Sequence, residues 1–367
     1  MRLLIITQKV DANDDNLGFF HGWLEKFAEN FEKIITVCLE RGQYKLPANV
    51  KVLSLGKEQN NFQSSIFKKT KYLVNFYKYI WRERNSYDAV FVHMNQEYVI
   101  LGGIFWKLFS KRILMWRNHL VGGFFTKIAV FLSDVVFYTS PFAFVAMYKK
   151  AKIMPVGIDT EKFQISNFKS RIPNSILYLG RISPIKKLDV LMDAFKILKD
   201  KKTNFNAKII GNALKRDRKY YENLKQRIDI EEGMPNYKTP EIYNQYEIFV
   251  NLTPAGSMDK TIFEAMACGC LTLVCNRSLN RQIDKRLFFK ENDAGDLAFK
   301  LEKILSLSNL EKQSIIKGLR DFVVYRHNLN FLIQELYETI HCYSGLQRKK
   351  YNFGDFKKGG ISGAGQY

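Results

Sequence analysis

A pair of basic residues follows a short apolar run in the second half of the chain. In the segment YLGRISPIKKLDV the run ends at Gly180, Arg181 follows directly, and Lys186 stands where a helix-period segment begins. A guanidinium and an ammonium beside a helix N-terminus favour a bound pyrophosphate, because the fixed cations and the helix dipole both attract its charge. A solvated basic loop explains the same residues without a ligand, so this spacing alone leaves both interpretations open.

A second pattern, FEAMACG, begins at Phe263. It places an acidic residue, Glu264, near the start of a helix, with small residues along that helix and Gly269 at its end. Glu264 can simply complement the helix dipole or cap the helix. At the mouth of a sheet, the same carboxylate could instead accept hydrogen bonds from the hydroxyl groups of a ribose.

In this order and at this separation, the two patterns resemble the glycosyltransferase family 4 enzymes, which have the GT-B fold. The matching segments are GRISPIKK, then IIGNA at Ile209–Ala213, then FEAMACG. The first half of the chain fits through a glycine in its first loop, a strand that runs into RNH, and the segment MPVGIDTEKF in place of the family's interdomain connection. The resemblance spans residues 1–345 and is strongest between residues 176 and 276.

The resemblance implies roles for individual residues. Arg181 and Lys186 would hold the donor diphosphate and stabilise the departing charge, Glu264 would bind the ribose, and His119 would lie near the reacting sugar. The catalytic residues implied in this way are Arg181, Lys186 and His119. The nucleotide-sugar-binding residues are Gly18, Gly180, Gly211, Ser257, Asp259, Lys260, Thr261 and Glu264.

The implied activity is the retaining transfer of a hexosyl or N-acetylhexosaminyl group from a nucleotide-diphosphate sugar, without a metal ion or a cofactor. One residue departs from the family pattern: Gly256 stands where the family has the first Glu of its Glu-x7-Glu element. Asp259 could supply the missing carboxylate, the amides of residues 257–261 could contact the donor directly, or Asp259 could merely cap the next helix. The alternatives are therefore a non-catalytic homologue that binds sugar nucleotides or polyanions, or a nucleotide-sugar epimerase of the same fold.

These side chains need a scaffold of alternating strands and helices. Short apolar runs alternate with helix-period segments along most of the chain, which predicts parallel sheets with crossover helices. The predicted elements include strands at Ala89–His93, Arg112–Trp116, Val135–Tyr138 and Ile176–Gly180, and a helix at Phe124–Leu132. We therefore expect an α/β protein with two doubly wound, Rossmann-like domains that face a cleft. Ligands bind such sheets beyond the carboxyl ends of the strands.

A polar segment with no sustained period separates the two series of strands and helices. The predicted division is an acceptor-binding domain (1–155), a linker (156–174), a nucleotide-sugar-binding domain (175–325), a C-terminal helix that packs back on the first domain (326–344) and a flexible basic tail (345–367).

The charge of the chain indicates an anionic partner. The 367 residues include 57 Lys and Arg and 36 Asp and Glu, a formal net charge of +21, and residues 51–150 alone hold 15 basic and five acidic side chains. Such a chain attracts nucleic acid, anionic lipid or phosphorylated ligands. Five cysteines without a paired framework favour a reducing compartment, and their spacing does not fit a zinc site. We therefore expect a cytoplasmic protein.

The segment from Ser65 to Arg84 interleaves basic and aromatic side chains. Its ordinary interpretation is a crossover helix whose core stripe comprises Leu73, Phe76, Tyr77, Ile80 and Trp81. The alternative is a peripheral membrane helix with its bases on anionic lipid. No nucleic-acid-binding module is recognisable, so nucleic acid is not expected. We expect a lipid-linked or glycan acceptor of cell-surface polysaccharide or glycoconjugate biosynthesis, at the inner face of the cell membrane.

Overall fold

The computed structural model describes residues 1–59, 65–166 and 171–341. The described chain contains two parallel sheets. Strands of the first sheet are β1 (Arg2–Val10), β2 (Lys33–Arg41), β3 (Val50–Ser54), β4 (Ala89–His93), β5 (Arg112–Trp116), β6 (Val135–Tyr138) and β7 (Ala151–Ile153). Strands of the second sheet are β8 (Ile172–Leu179), β9 (Asn206–Ile210), β10 (Tyr246–Asn251) and β11 (Leu271–Val274).

Both sheets are doubly wound. The first has the strand order β3-β2-β1-β4-β5-β6-β7 and the second β11-β10-β8-β9, with every pair parallel. The chain therefore winds outward from β1 in both directions, and likewise from β8. The loops that follow these central strands lie at the topological switch points, where such sheets bind ligands.

Eleven α-helices connect or cover these strands within the described residues. They are α1 (Phe19–Asn30), α2 (Ser65–Arg82), α3 (Gln96–Leu108), α4 (Phe124–Leu132), α5 (Leu188–Asp200), α6 (Arg218–Lys225), α7 (Thr239–Tyr243), α8 (Lys260–Ala267), α9 (Ala294–Leu305), α10 (Asn309–Arg326) and α11 (Leu329–His341). In the part of the chain that the structure describes, no helix combines the length and the hydropathy needed to cross a bilayer.

The first sheet has a separate apolar core on each face. Helices α2, α3 and α4 fill one core with Phe76, Trp106 and Val130, among others. Helix α1 and the last helix, α11, fill the other, where Leu332 and Leu336 pack with Phe27. The chain thus returns from the second sheet to the first, and α11 buries its apolar face there rather than against its sequence neighbours.

The strand and helix pattern agrees with the sequence prediction in most places. The bounds of β4, β5, β6 and α4 match the prediction residue for residue, whereas β8 begins four residues earlier than predicted. Two strands were missed, β3 and β7. The helix over residues 65–84 was expected to bury its apolar stripe, but only Phe76 and Ile80 are buried, and Leu73, Tyr77 and Trp81 are exposed. The predicted tail at 345–367 lies outside the described residues.

Candidate active site

Two glycines allow the loop after β8 to cross the loop after β9. Gly180 has φ +153°, and a Cβ atom at Gly211 would lie 1.9 Å from the carbonyl oxygen of Gly180. The backbones are also joined by a hydrogen bond of 3.1 Å from the Gly180 amide to the Ile210 carbonyl. This crossing requires glycine at position 211, and it sets the direction in which Arg181 leaves the sheet.

Arg181 carries a buried donor that the protein itself does not satisfy. Its Nε–H group is buried without a hydrogen-bond partner among the described residues, and the same holds for the hydroxyl group of Ser183, two residues further on. A buried polar group without a partner costs free energy, and native proteins contain few of them. Two such donors at the end of the central strand suit an anionic ligand.

Lys186 lies in a 3-10 turn, Pro184–Lys186, just before α5. Its ammonium group donates to the hydroxyl of Thr253 at 2.9 Å and forms an ion pair with Asp259. We call Arg181, Ser183, Lys186, Thr253 and Asp259 the anion corner. It is built entirely from loops at the carboxyl ends of β8 and β10.

Asp259 is held by three donors rather than acting as a helix cap. It occupies the N-cap position of α8, but its side chain makes no capping hydrogen bond. Besides Lys186, its carboxylate accepts from the Thr253 hydroxyl at 2.6 Å and from Asn251 Nδ2 at 3.1 Å. Burial alone would raise the pKa of Asp259, but the Lys186 ammonium and these hydrogen bonds hold it below its usual range. The capping interpretation was therefore wrong.

A cavity of about 280 Å³ lies between the two domains, beside α8. Glu264 forms part of its wall and accepts hydrogen bonds from Asn236 Nδ2 at 2.9 Å and from the Tyr243 hydroxyl at 3.2 Å. Burial raises the pKa of Glu264 above its usual range, against the effects of Asn236 and Lys260. Other residues of the wall include Gly18, His21, Asp159, Lys162 and Tyr237.

Lys260 points away from the anion corner and into the first domain. Its ammonium group donates to the carbonyl oxygens of Val156 at 2.5 Å and Gly157 at 3.0 Å. It also lies 4.6 Å from the ring centroids of both Phe19 and Trp23 on α1. Burial lowers the pKa of Lys260 to about 7, while the charge of Glu264 opposes that change. Lys260 therefore joins the domains through an aromatic pair and the interdomain segment.

The loop after β5 brings His119 and Leu120 to the cleft. The side chain of His119 is open to solvent on one side, and the desolvation of its other side, together with the charge of neighbouring Arg117, lowers the pKa of its imidazole. Leu120 lies against Gly256, so that a Cβ atom at position 256 would come within 2.7 Å of it. Gly256 also has φ +109°, which disfavours any side chain. The backbone and the facing domain thus both disfavour a glutamate at this position.

The remaining predicted residues take different places. Gly18 precedes α1, and a Cβ atom there would lie 2.4 Å from the carbonyl oxygen of Asp14. The carbonyl of Ser257 accepts from Asn276 Nδ2 at 2.7 Å, and the hydroxyl of Thr261 accepts from Asn251 Nδ2 at 3.3 Å. The predicted residues therefore fall into two groups beside the first turn of α8, the anion corner and the cavity at Glu264. His119 lies on the opposite side of the cleft.

Direct hydrogen bonds hold the two domains together around this cleft. Asn212 Nδ2 donates to Asp15 at 2.9 Å, and the hydroxyls of Ser140 and Ser278 lie 2.8 Å apart. The partners in each pair come from different domains. Hydrogen bonds between the two domains therefore bridge the cleft at two places.

Sequence analysis missed the polar partners that hold the candidate residues. Thr253 and Asn251 orient Asp259, and Asn236 and Tyr243 orient Glu264. The only local signal for Thr253 and Asn251 was their position at the end of an apolar run, NLTP, before the FEAMACG pattern. Nothing in the sequence around Phe19 indicated contact with a lysine more than two hundred residues away.

A family model agrees with the second half of this description. Residues 159–320 match the model described as glycosyl transferases group 1. That range contains β8–β11, the anion corner and Glu264. No curated protein sequence matches the chain.

Solved structures share the whole fold at low sequence identity. Sucrose-phosphate synthase from Thermosynechococcus elongatus is 14% identical, with a TM-score of 0.73 over 94% of this chain and 100% of that one. An alpha-glucosyltransferase in complex with UDP-glucose and DNA is 13% identical, with a TM-score of 0.63 over 93% and 99%. WaaG, a glycosyltransferase involved in lipopolysaccharide biosynthesis, is 12% identical, with a TM-score of 0.63 over 92% and 99%. These likenesses confirm the predicted GT-B fold.

Proposed function

We propose that this protein is a retaining glycosyltransferase that uses a nucleotide-diphosphate sugar. It would move a hexosyl or N-acetylhexosaminyl group to a lipid-linked or glycan acceptor in cell-surface polysaccharide or glycoconjugate biosynthesis, on the cytoplasmic side of the membrane. The match of residues 159–320 to the glycosyl transferases group 1 supports the enzyme class. The basic first half of the chain supports an anionic acceptor.

The observation that carries this proposal is the buried Nε–H group of Arg181, which has no partner among the described residues and belongs to the same loop after the central strand as Lys186. In the proposed reaction the bond between the anomeric carbon and the diphosphate oxygen breaks, and the nucleoside diphosphate departs with negative charge. The acceptor hydroxyl oxygen forms the new bond to the anomeric carbon, and its proton passes to the departing diphosphate. Fixed cations directed at a developing charge act most strongly in a site that excludes water, so we propose that these two side chains replace a metal ion here.

Glu264 is suited to hold the nucleoside end of the donor. Its carboxylate has room for about four hydrogen bonds, and Asn236 and Tyr243 supply two of them. The ribose hydroxyls would either add to these donors or displace Asn236. The adjoining cavity of about 280 Å³ gives the ligand a place beside the carboxylate.

The experiment is a panel of nucleotide sugars, first by thermal shift and then by transfer and product analysis. A ligand at about 100 times its Kd should stabilise the protein by about 2.7 kcal/mol. We expect one sugar nucleotide to stabilise the protein and to be consumed only when an acceptor is present.

The Gly256–Leu120 contact specifically favours a second candidate, a non-catalytic sugar-nucleotide-binding protein, since it disfavours the carboxylate that the related enzymes carry. Stabilisation by a sugar nucleotide with no turnover on any acceptor extract would favour this candidate. Conversion of the sugar nucleotide without an acceptor would instead indicate an epimerase.

A further inference from the structure

The outer surface of the first domain contains a dense group of exposed apolar side chains. Helices α2, α3 and α4 all cover the same face of the first sheet, since their inward side chains share one core. We call their outward side, together with residues 120–123 just before α4, the α2–α4 face. Its exposed apolar side chains are Phe67, Leu73, Val74, Tyr77, Trp81, Leu101, Ile104, Leu108, Leu120, Val121, Phe124, Phe125 and Phe131. Soluble monomers rarely expose large contiguous apolar patches without a function.

Contacts between the three helices make this surface continuous. The Tyr77 hydroxyl on α2 donates to the carbonyl of Leu101 on α3 at 3.0 Å, and the ring of Trp81 lies 5.7 Å from that of Phe105. Helices α3 and α4 pack so closely that a Cβ atom at Gly103 would lie 2.9 Å from Leu132. The exposed side chains therefore belong to one layer rather than to scattered positions.

The second domain shows no comparable surface in its described residues. Its large exposed apolar side chains lie on separate elements, for example Ile185, Leu214 and Phe299, or at opposite ends of one helix, as Leu310 and Tyr325 do on α10. Phe131 and Leu310 are equally exposed, at 80%. Phe131 has Phe124 and Phe125 exposed within two turns of its own helix, whereas Tyr325 lies at the far end of the helix that carries Leu310. What distinguishes the α2–α4 face is the grouping of its apolar residues, and single exposed residues need no special explanation.

The charges of the segment that carries this face point to its partner. Residues 65–150 hold 13 basic side chains and four acidic ones, and three of these carboxylates, Glu83, Asp88 and Asp134, are already in ion pairs. A second copy of the same face would bring like charges together, which opposes self-association. Apolar tips surrounded by lysine and arginine match the interface of an anionic lipid bilayer.

The same face reaches the candidate active site. Leu120 and Val121 follow His119 directly, and Leu120 touches the backbone at Gly256 on the other side of the cleft. The apolar side chains from Leu120 to Phe125 therefore extend from the cleft to the outer surface of α4. An acceptor whose lipid tail stays in a membrane could enter the cleft over this rim; this step alone rests on the proposed function.

We propose that the α2–α4 face docks on an anionic membrane and inserts Phe124, Phe125 and Phe131 of α4 into the lipid interface. This places the main apolar contact on α4, with the basic residues of α2 as electrostatic support. The proposal differs from a purely electrostatic attachment because it requires the phenylalanine side chains.

The test uses the full chain with phosphatidylcholine vesicles that contain or lack phosphatidylglycerol. The α4 variant combines Phe124→Ser, Phe125→Ser and Phe131→Ser. The control variant combines three substitutions at exposed positions of the second domain, Phe299→Ser, Leu310→Ser and Tyr325→Ser. Sedimentation measures binding, and brominated lipid measures proximity through tryptophan fluorescence. Trp81 is exposed, whereas Trp23, Trp106 and Trp116 are buried, so quenching reports on the α2–α4 face.

We expect binding that requires phosphatidylglycerol, weakens with salt through screening, and quenches Trp81. The α4 variant should lose at least about tenfold in partitioning, because even one buried phenylalanine is worth about that factor. The control variant should bind like the parent protein. Melting curves show whether both variants are folded, which is expected because all six positions are exposed.

Equal binding of the α4 variant and the parent would overturn the proposal, as would tight binding to oligonucleotides without any to vesicles. A dimer that dissociates in the α4 variant, with no vesicle binding by the parent, would identify the face as a contact between copies. Vesicle binding needs no sugar donor, so it can succeed while transfer fails, or fail while transfer to a soluble acceptor succeeds. The two proposals are thereby tested separately.

Discussion

Asp259 and Lys260 are neighbours in the chain, but their side chains serve two different clusters. Asp259 binds Lys186 within the second domain, as part of the anion corner. Lys260 crosses to the first domain, where it contacts Phe19, Trp23 and the interdomain segment. The first turn of α8 therefore joins a site built inside one domain to a contact that exists only when both domains are together.

This difference teaches which part of the site depends on closure of the cleft. The anion corner is formed by the ends of two adjacent strands, so its cations keep their geometry when the domains move apart. The cavity beside Glu264 has walls from α1 and from the 157–163 segment, so its shape depends on the contact made by Lys260. Loss of a cation from the anion corner should therefore act mainly on turnover, and changes beside Glu264 should act on nucleotide binding.

The largest expected effect is on turnover. Arg181→Ala and Lys186→Ala should each lower kcat by about 10²–10³, because each removes a fixed cation from the departing diphosphate. Transfer rates with the sugar nucleotide found in the panel measure this effect. Arg216→Ala and Lys196→Ala remove exposed cations of the same domain and serve as controls. Rates near that of the parent for both site variants would show that the anion corner is not the diphosphate site.

A smaller effect is expected in the second cluster. Glu264→Gln should weaken nucleoside diphosphate binding about tenfold, because a neutral amide accepts ribose hydrogen bonds less strongly than a carboxylate. Glu241→Gln changes an exposed glutamate nearby and is the matched control. Isothermal titration would measure both variants.

The pH dependence of binding sharpens the same comparison. Burial raises the pKa of Glu264, so its carboxylate becomes protonated at a higher pH than an ordinary glutamate. Affinity of the parent should fall as the pH is lowered through that range, and Glu264→Gln should lack this part of the pH dependence. If Glu264→Gln left nucleoside diphosphate affinity unchanged and lowered the melting temperature, Glu264 would have a purely structural role at the helix start.

The sequence allowed the fold to be predicted wherever an element is strongly apolar. Strands β4, β5 and β6 are buried runs with polar residues at both ends, and their predicted bounds were correct. Strand β3 carries a lysine at its second position and β7 has only three residues, so neither gave a clear period. Both lie at the edges of the first sheet, where one side of the strand has no partner strand.

The candidate site was predictable in its motifs but not in its contacts. Arg181, Lys186 and Glu264 became candidates because their local patterns resemble those of the glycosyltransferase family 4 enzymes. The pair of Lys186 with Asp259 joins residues 73 positions apart, and its existence depends on β8 and β10 being adjacent. The exposure of Leu73 and Trp81 on α2 could not be predicted either, because helical spacing shows that a stripe is apolar without showing whether another element covers it.

The smallest expected effect has opposite signs for stability and for binding. Asp259→Asn removes the negative partner of a largely buried lysine, so the free energy of unfolding should fall by about 1–3 kcal/mol. The same change removes a carboxylate that competes with the diphosphate for Lys186. Nucleoside diphosphate affinity should therefore rise about fivefold, or about 1 kcal/mol.

Denaturant unfolding and calorimetric titration measure the two quantities separately. Asp200→Asn breaks an exposed lysine–aspartate pair on α5 and should change neither by much, since exposed pairs contribute little. If Asp259→Asn instead weakened diphosphate binding, the role of Asp259 would be to orient Lys186 towards the ligand. It would then not compete with the diphosphate for the Lys186 ammonium group. Lys186→Ala combined with Asp259→Asn decides between these roles. If Asp259 only competes for Lys186, its substitution should no longer change affinity once the lysine is absent.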